Sequence, residues 1–205
     1  MTASLYHSGT GVQSPHCMHA IGIGRTGMAY IEALLRTGEV EDLLTDPRAT
    51  FAAMVVDIGD QDMGVVTDYA HSFKKRLESR GIPSDRFQFQ AIALPVPSKD
   101  DFFEGMNRTR EWLKLEYPRY YWNPNFESYV PHKYQLPAAG THFPRAVAKG
   151  IYANAYYAGD RPMDQALRKF VDQVERATLP SMIMVCFSIA GGVGSGMVVD
   201  LARHL

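Results

Sequence analysis

Two short stretches place glycine where phosphate chemistry would need it. Gly22-Ile23-Gly24-Arg25-Thr26-Gly27 follows an apolar run, opens a helical pattern and has G-x-G-x-x-G spacing. Glycines so spaced let the backbone pass close to a pyrophosphate, and the free N–H groups of the helix start face the anion. A tight turn without a ligand has the same spacing. The second stretch, Ala190-Gly191-Gly192-Val193-Gly194-Ser195-Gly196, carries four glycines in its last six positions, again between an apolar run and a helix. Glycine at this density costs conformational entropy, so the backbone reads as one that something must approach closely: a second phosphate cradle, or else a flexible bend. A dinucleotide fold needs only one such loop per pyrophosphate. Two loops are therefore the most informative feature of the chain.

Other groups with chemical potential are fewer. Asp57, Asp60 and Asp62 are placed to hold Mg²⁺ through water, or to cap the helix that follows. Arg25 either supplies a cation to a phosphate or blocks the pocket. His16, Cys17 and His19 are metal-ligand types, but on a strand Cys17 and His19 share one face while His16 points to the other. Cys186, in an apolar strand, reads as a buried thiol. Ser188, Ser195 and His204 form no nucleophile–base spacing, and no G-x-S-x-G frame surrounds Ser195.

The elements that must position these residues follow from periodicity. Apolar runs at His16–Gly24, Thr50–Asp57, Phe87–Leu94 and Ser181–Ser188 predict strands. Between them lie helical patterns at Met28–Leu44 (with Gly38 as a cap or interruption), Met63–Arg80 capped by Gly81, and Ser98 to about Glu116. Further helices are predicted from Thr141, as cap, through Tyr157 with Pro144 in the first turn, from Met163 through Val174, and from Met197 onward. Strands apolar along their whole length, alternating with helices, predict an α/β fold: a three-layer Rossmann-like parallel sheet with helices on both faces. Ligands in such sheets bind at the carboxyl ends of the strands, where both glycine clusters and the acids fall.

The 205 residues suit one domain with a core that needs no disulfide. Residues 1–15 read as a flexible leader and 16–205 as the domain. Within it, residues 117–137 stand apart, with four prolines and seven aromatic residues; they read as a lid or an interaction segment. Lys plus Arg is 21 and Asp plus Glu is 22, so the charge balance gives no support for a nucleic-acid or anionic-membrane partner. Two cysteines exclude a disulfide framework. With no apolar signal core and no apolar run of membrane length, the expectation is a cytoplasmic protein.

The chain resembles the nucleotide-binding half of the tubulin/FtsZ superfamily. Four segments carry the likeness in order: Ile21–Ala29 (IGIGRTGMA), the first glycine loop; Val55–Asp60 (VVDIGD), the loop after the second strand; Ala138–Pro144 (AAGTHFP), the terminal-phosphate-sensing loop; and Ala190–Gly196 (AGGVGSG), the glycine signature. The likeness spans Ala20–Leu205, with 95–137 as an insertion. It departs from the family at Ala190 and Val193, which replace a glycine and a hydroxyl of the signature, at Arg25, where a small residue is usual, and at Ala29, where an asparagine closes the loop. The resemblance implies GTP or GDP, with Mg²⁺, held by Gly22, Gly24, Arg25, Thr26, Gly27, Gly191, Gly192, Val193, Gly194, Ser195 and Gly196. It puts Asp57 and Asp60 near the metal or ribose and Gly140 and Thr141 at the terminal phosphate. It also implies action through homo- or hetero-oligomeric assembly. In the family the base-binding residues, a central helix and an acidic loop that completes hydrolysis in the next subunit follow the signature; this chain ends at Leu205, so hydrolysis by it alone is not expected.

Two other readings remain at this stage. An NAD(P)-binding Rossmann oxidoreductase would use Gly22, Gly24 and Gly27 for pyrophosphate and Asp57 for ribose, but leaves the 191–196 cluster without a task. A non-catalytic scaffold subunit would keep the fold without the chemistry, which Val193 and Ala29 favour.

Overall fold

The computed structural model describes residues 17–116 and 133–205, with 109–116 described by backbone alone. The leader at 1–15 and residues 117–132 of the aromatic segment lie outside the described residues. Four strands form one sheet: β1 (Cys17–Ile23), β2 (Phe51–Ile58), β3 (Phe87–Leu94) and β4 (Ser181–Cys186). Every pairing is parallel and the order is β3-β2-β1-β4. The helices are α1 (Gly24–Arg36), α2 (Glu39–Leu43), α3 (Gly64–Ser79), α4 (Lys99–Glu116), α5 (Arg145–Tyr157), α6 (Pro162–Glu175) and α7 (Gly192–His204). This is the predicted α/β fold, a parallel sheet flanked by helices. Among the described residues no helix is long and apolar enough to cross a membrane.

The period of two along the strands divides the core. Ile21, Ile23, Met54 and Val56 point to one face and pack with Phe102 of α4, Ile151 of α5, Phe170 of α6 and Leu201 of α7. Ala20, Ala53 and Val55 point to the other and meet Ile31 and Leu35 of α1 and Val66 and Phe73 of α3. Fully buried aliphatic and aromatic side chains of this kind contribute about 1.5–3 kcal/mol each. The sheet is thus buried from both sides, which is why its strands read as unbroken apolar runs. In β2 every residue is buried except Asp57, next to the strand's carboxyl end.

His19 has a structural task. Its Nδ1 accepts the Ala52 N–H at 3.0 Å and its Nε2 lies 3.3 Å from the Ser181 hydroxyl, so one ring links β2, β1 and β4. Burial holds its pKa down to about 4, which fits a neutral ring with Nδ1 as acceptor.

Gly38 interrupts the Met28–Leu44 pattern, one of its two expected roles: with φ of 85° it separates the first helix from the second. Three helix starts differ from the sequence reading, each for a local reason. α1 starts at Gly24, so Arg25, Thr26 and Gly27 lie in its first turn. α7 likewise starts at Gly192, not after the glycine cluster. The helix expected from Thr141 starts at Arg145: Pro144 is the cap residue, its carbonyl accepting from Val147 and Ala148, while Thr141 donates its hydroxyl to Ala138 O at 2.7 Å. By contrast Ser98 caps α4 as predicted, accepting the Asp101 N–H.

Gly22 and Gly27 let α1 press onto the sheet. A methyl group on Gly22 would lie 2.6 Å from Gly27 O, and one on Gly27 would lie 2.5 Å from Cys186 O. Gly27→Ala is therefore expected to cost about 1–3 kcal/mol through overpacking, read as a lower urea midpoint. Gly64→Ala, with nothing within 4 Å of the added methyl, is expected not to lower it.

Candidate functional site

The sheet order creates the site. β1 and β4 are neighbours, but α1 leaves β1 toward one face and α7 leaves β4 toward the other. A crevice opens where adjacent connections diverge in this way, outside the strand carboxyl ends. There the two glycine turns meet: a methyl group on Gly24 would stand 3.5 Å from the Gly194 amide nitrogen and 3.5 Å from Val193 Cβ. Gly24 has φ of 70°, a conformation that side-chain-bearing residues rarely adopt. Both helices begin without a side-chain cap hydrogen bond. Their first N–H groups, which have no partner within the helix, and the positive ends of their dipoles converge on one place.

A cavity of about 310 Å³ lies there, at the small end of the range for ligand sites. Its wall is a closed circuit of four chain segments. Gly24 touches the start of α7. Gly192 packs directly against the carbonyl of Phe143, at the end of the loop that leads into α5. Earlier in that loop, Gly140 lies against the side chain of Gln61, in the loop after β2. Asp62 of that loop pairs with Arg25 of α1 at 3.2 Å and closes the circuit. The Arg25 side chain is 82% exposed, so it stands at the rim and does not fill the space between the glycine turns.

The predicted residues divide into two groups. Gly24, Arg25, Thr26, Asp57, Gly140, Thr141, Gly191, Gly192, Val193 and Gly194 line the cavity. Gly22, Gly27, Asp60, Ser195 and Gly196 are not among its lining residues. Gly22 and Gly27 serve the packing of α1 on β1. Gly196 serves that of α7 on α5, since a methyl group there would lie 2.5 Å from Arg145 O. Ser195 turns its hydroxyl back to Gly191 O and accepts from Arg145 Nε at 2.9 Å. Asp60 offers its carbonyl to Met63 N; neither it nor its neighbours make a side-chain cap to α3. Gly59, Gln61, Asp62, His142, Phe143 and Ser188 also line the cavity. Asp62 is a candidate ligand in the sequence reading, and Gly59, His142 and Phe143 fall within segments that carry the resemblance without being singled out. Ser188 is weighed there only as a nucleophile, and no pattern marks Gln61 as part of a site.

Electrostatically the cavity combines two helix starts with one semi-buried acid. Burial raises the Asp57 pKa first of all, and the nearby Asp62 carboxylate adds to the rise; the Ile58 N–H, which Asp57 accepts at 2.7 Å, and Arg25 oppose it. Among the described residues no three His, Cys, Asp or Glu side chains gather as a metal cage. A hard cation would be held here by Asp57 and Asp62 jointly with the oxygens of a bound anion, the usual arrangement for Mg²⁺ on phosphates.

An acid with a raised folded-state pKa binds more protons folded than unfolded. Its stability cost appears as pH rises from the ordinary value of 3.8 through the raised one, and persists at neutral pH. Asp57→Asn keeps an acceptor for the Ile58 N–H. It is therefore expected to raise the urea midpoint of the ligand-free protein at pH 7, with the gain shrinking as pH falls through the raised pKa toward 3.8 and absent below it. A variant less stable than the parent at pH 7 would contradict this.

No protein-family model, curated protein or solved structure matches the chain.

Proposed function

We propose that the chain binds a nucleoside triphosphate or diphosphate, with GTP the nucleotide indicated by the resemblance to the tubulin/FtsZ superfamily, and that it acts through assembly with itself or another subunit. One observation carries this reading: the uncapped N-termini of α1 and α7 open on the same cavity. One helix start suffices for a pyrophosphate, so two on one cavity suit a longer or more fully enclosed polyphosphate. Gly24, Arg25, Thr26, Gly191, Gly192, Val193 and Gly194 would surround the phosphates, Asp57 and Asp62 would share a Mg²⁺ with them, and Gly140 and Thr141 would adjoin the terminal phosphate. Bound Mg²⁺ would neutralise charge on the phosphate oxygens. Hydrolysis would further need a group that positions water. On this reading that group comes from a partner subunit, as the resemblance implies.

An NAD(P) cofactor would engage the α1 turn and Asp57 but leave the α7 turn idle, which ranks it second. A scaffold role predicts a cavity indifferent to both ligands.

Gly191 gives a clean test. It is the cap residue of α7 with extended backbone, φ −76° and ψ 144°, and a methyl group there would meet Ser188 at an ordinary 3.5 Å. Aspartate favours this position because its side chain satisfies the helix's first N–H groups. Gly191→Asp is thus expected to keep or raise the thermal midpoint of the ligand-free protein while its carboxylate repels phosphate. For the parent, GTP at a hundred times its Kd should add about 2.7 kcal/mol, seen as a raised midpoint, and the variant should show none of this. A parent that ignores GTP but responds to NAD(P)H, or a variant that responds to GTP as the parent does, would overturn the reading.

A further inference from the structure

Gln61 belongs to neither glycine turn, yet it lines the same cavity. Its carboxamide lies between glycines of two different loops. A methyl group on Gly59 would come within 2.6 Å of Gln61 Oε1, and one on Gly140 within 2.6 Å of Gln61 Cδ and Oε1. Both glycines are in the left-handed region, with φ of 85° and 78°. Two loops thus keep their backbones bare beside one amide. That amide is not needed to join them, because they also touch through Gly59 and Ala139, where the added methyl would stand 3.0 Å from Ala139 Cβ. Among the described residues the Gln61 carboxamide makes no hydrogen bond. It therefore has two N–H donors to give.

Thr141 and the charged groups of the cavity are committed or of the wrong sign. Thr141 spends its hydroxyl proton on Ala138 O at 2.7 Å. Arg25 is paired with Asp62, and ionised Asp57 and Asp62 only accept. The loop that ends in α5 runs from Gly192, at the start of α7, back to Gly140, beside Gln61. A phosphate next in line after those held by the helix starts would meet Gln61.

Resting on the nucleotide reading of the cavity, we infer that Gln61 reads the terminal phosphate: its amide N–H donates to the γ-phosphate of a nucleoside triphosphate and has no counterpart in a diphosphate. Gln61 is then the side chain that makes the site prefer the triphosphate.

The test is calorimetric titration of the full chain, with Mg²⁺, using GDP and a non-hydrolysable GTP analogue. Gln61→Ala should leave the GDP Kd unchanged and weaken the analogue roughly tenfold or more, as expected for losing a hydrogen bond to a charged group. Gln61→Glu should weaken the analogue further by repulsion. Gln61 is exposed, so the ligand-free thermal midpoint should not move in either variant. A Gln61→Ala protein that keeps the parental preference for the analogue overturns the inference. So does an equal loss of both ligands, which would mark the side chain as a prop for the loops, and so does a parent with no preference. A parent that binds neither ligand locates the failure in the nucleotide reading itself, and the role of Gln61 falls with it.

Discussion

The structure depends on where two sets of unpaired backbone N–H groups point. Every helix leaves its first N–H groups without an internal partner. α1 and α7, like α2, α3, α5 and α6, have no side-chain cap; what sets α1 and α7 apart is that both begin on the wall of one cavity. β1 and β4 are paired through six residue positions, from Cys17 with Ser181 to Gly22 with Cys186, so both end at the same level of the sheet. α1 starts directly after β1, and a five-residue loop carries the chain from β4 to α7, where Gly194 packs beside Ile23 O and Gly24. The helices then diverge to opposite faces. The result is a cavity at the carboxyl ends of the strands that sets two helix starts beside the Asp57 and Asp62 carboxylates.

The glycines of the two motifs have separate tasks. Gly22 and Gly27 allow α1 to sit on the sheet, and Gly196 allows α7 to sit on α5. Gly192 yields to the Phe143 carbonyl and so binds the loop before α5 to the start of α7. Gly24, with its left-handed backbone, and Gly191 and Gly194 remain on the cavity wall. Close packing is therefore what brings the helix starts together, and the open wall is what a ligand would meet. A motif written as one string of glycines conceals this division between scaffold and surface.

That division marks the limit of what the sequence made legible. The strands were readable because burial on both faces leaves apolar runs with no competing pattern, and Asp57 stood out as the acid ending one of them. α3, with its stripe of Val66, Ala70, Phe73 and Leu77 on one buried face, was equally plain. Helix starts were less so. Glycine is a poor helix former, so α1 and α7 were expected to begin after their glycines, whereas tertiary packing draws Gly24 and Gly192 into the first turn. Pro144 was expected inside α5 for the opposite reason: its fixed φ suits a first turn, and only the structure shows it capping instead. The convergence of the two turns followed from parallel topology. The contact between Gln61 and Gly140 did not, because no periodicity links a loop after β2 to a loop before α5.

The central claim is that both helix starts serve one bound polyphosphate. Hydrogen–deuterium exchange of the full chain across a GTP titration, with Mg²⁺, addresses it directly. The account predicts that amides at Gly24–Gly27 and at Gly192–Gly194 slow together, at one midpoint concentration. Protection confined to the first of these segments, or two segments responding at separate concentrations, would contradict it.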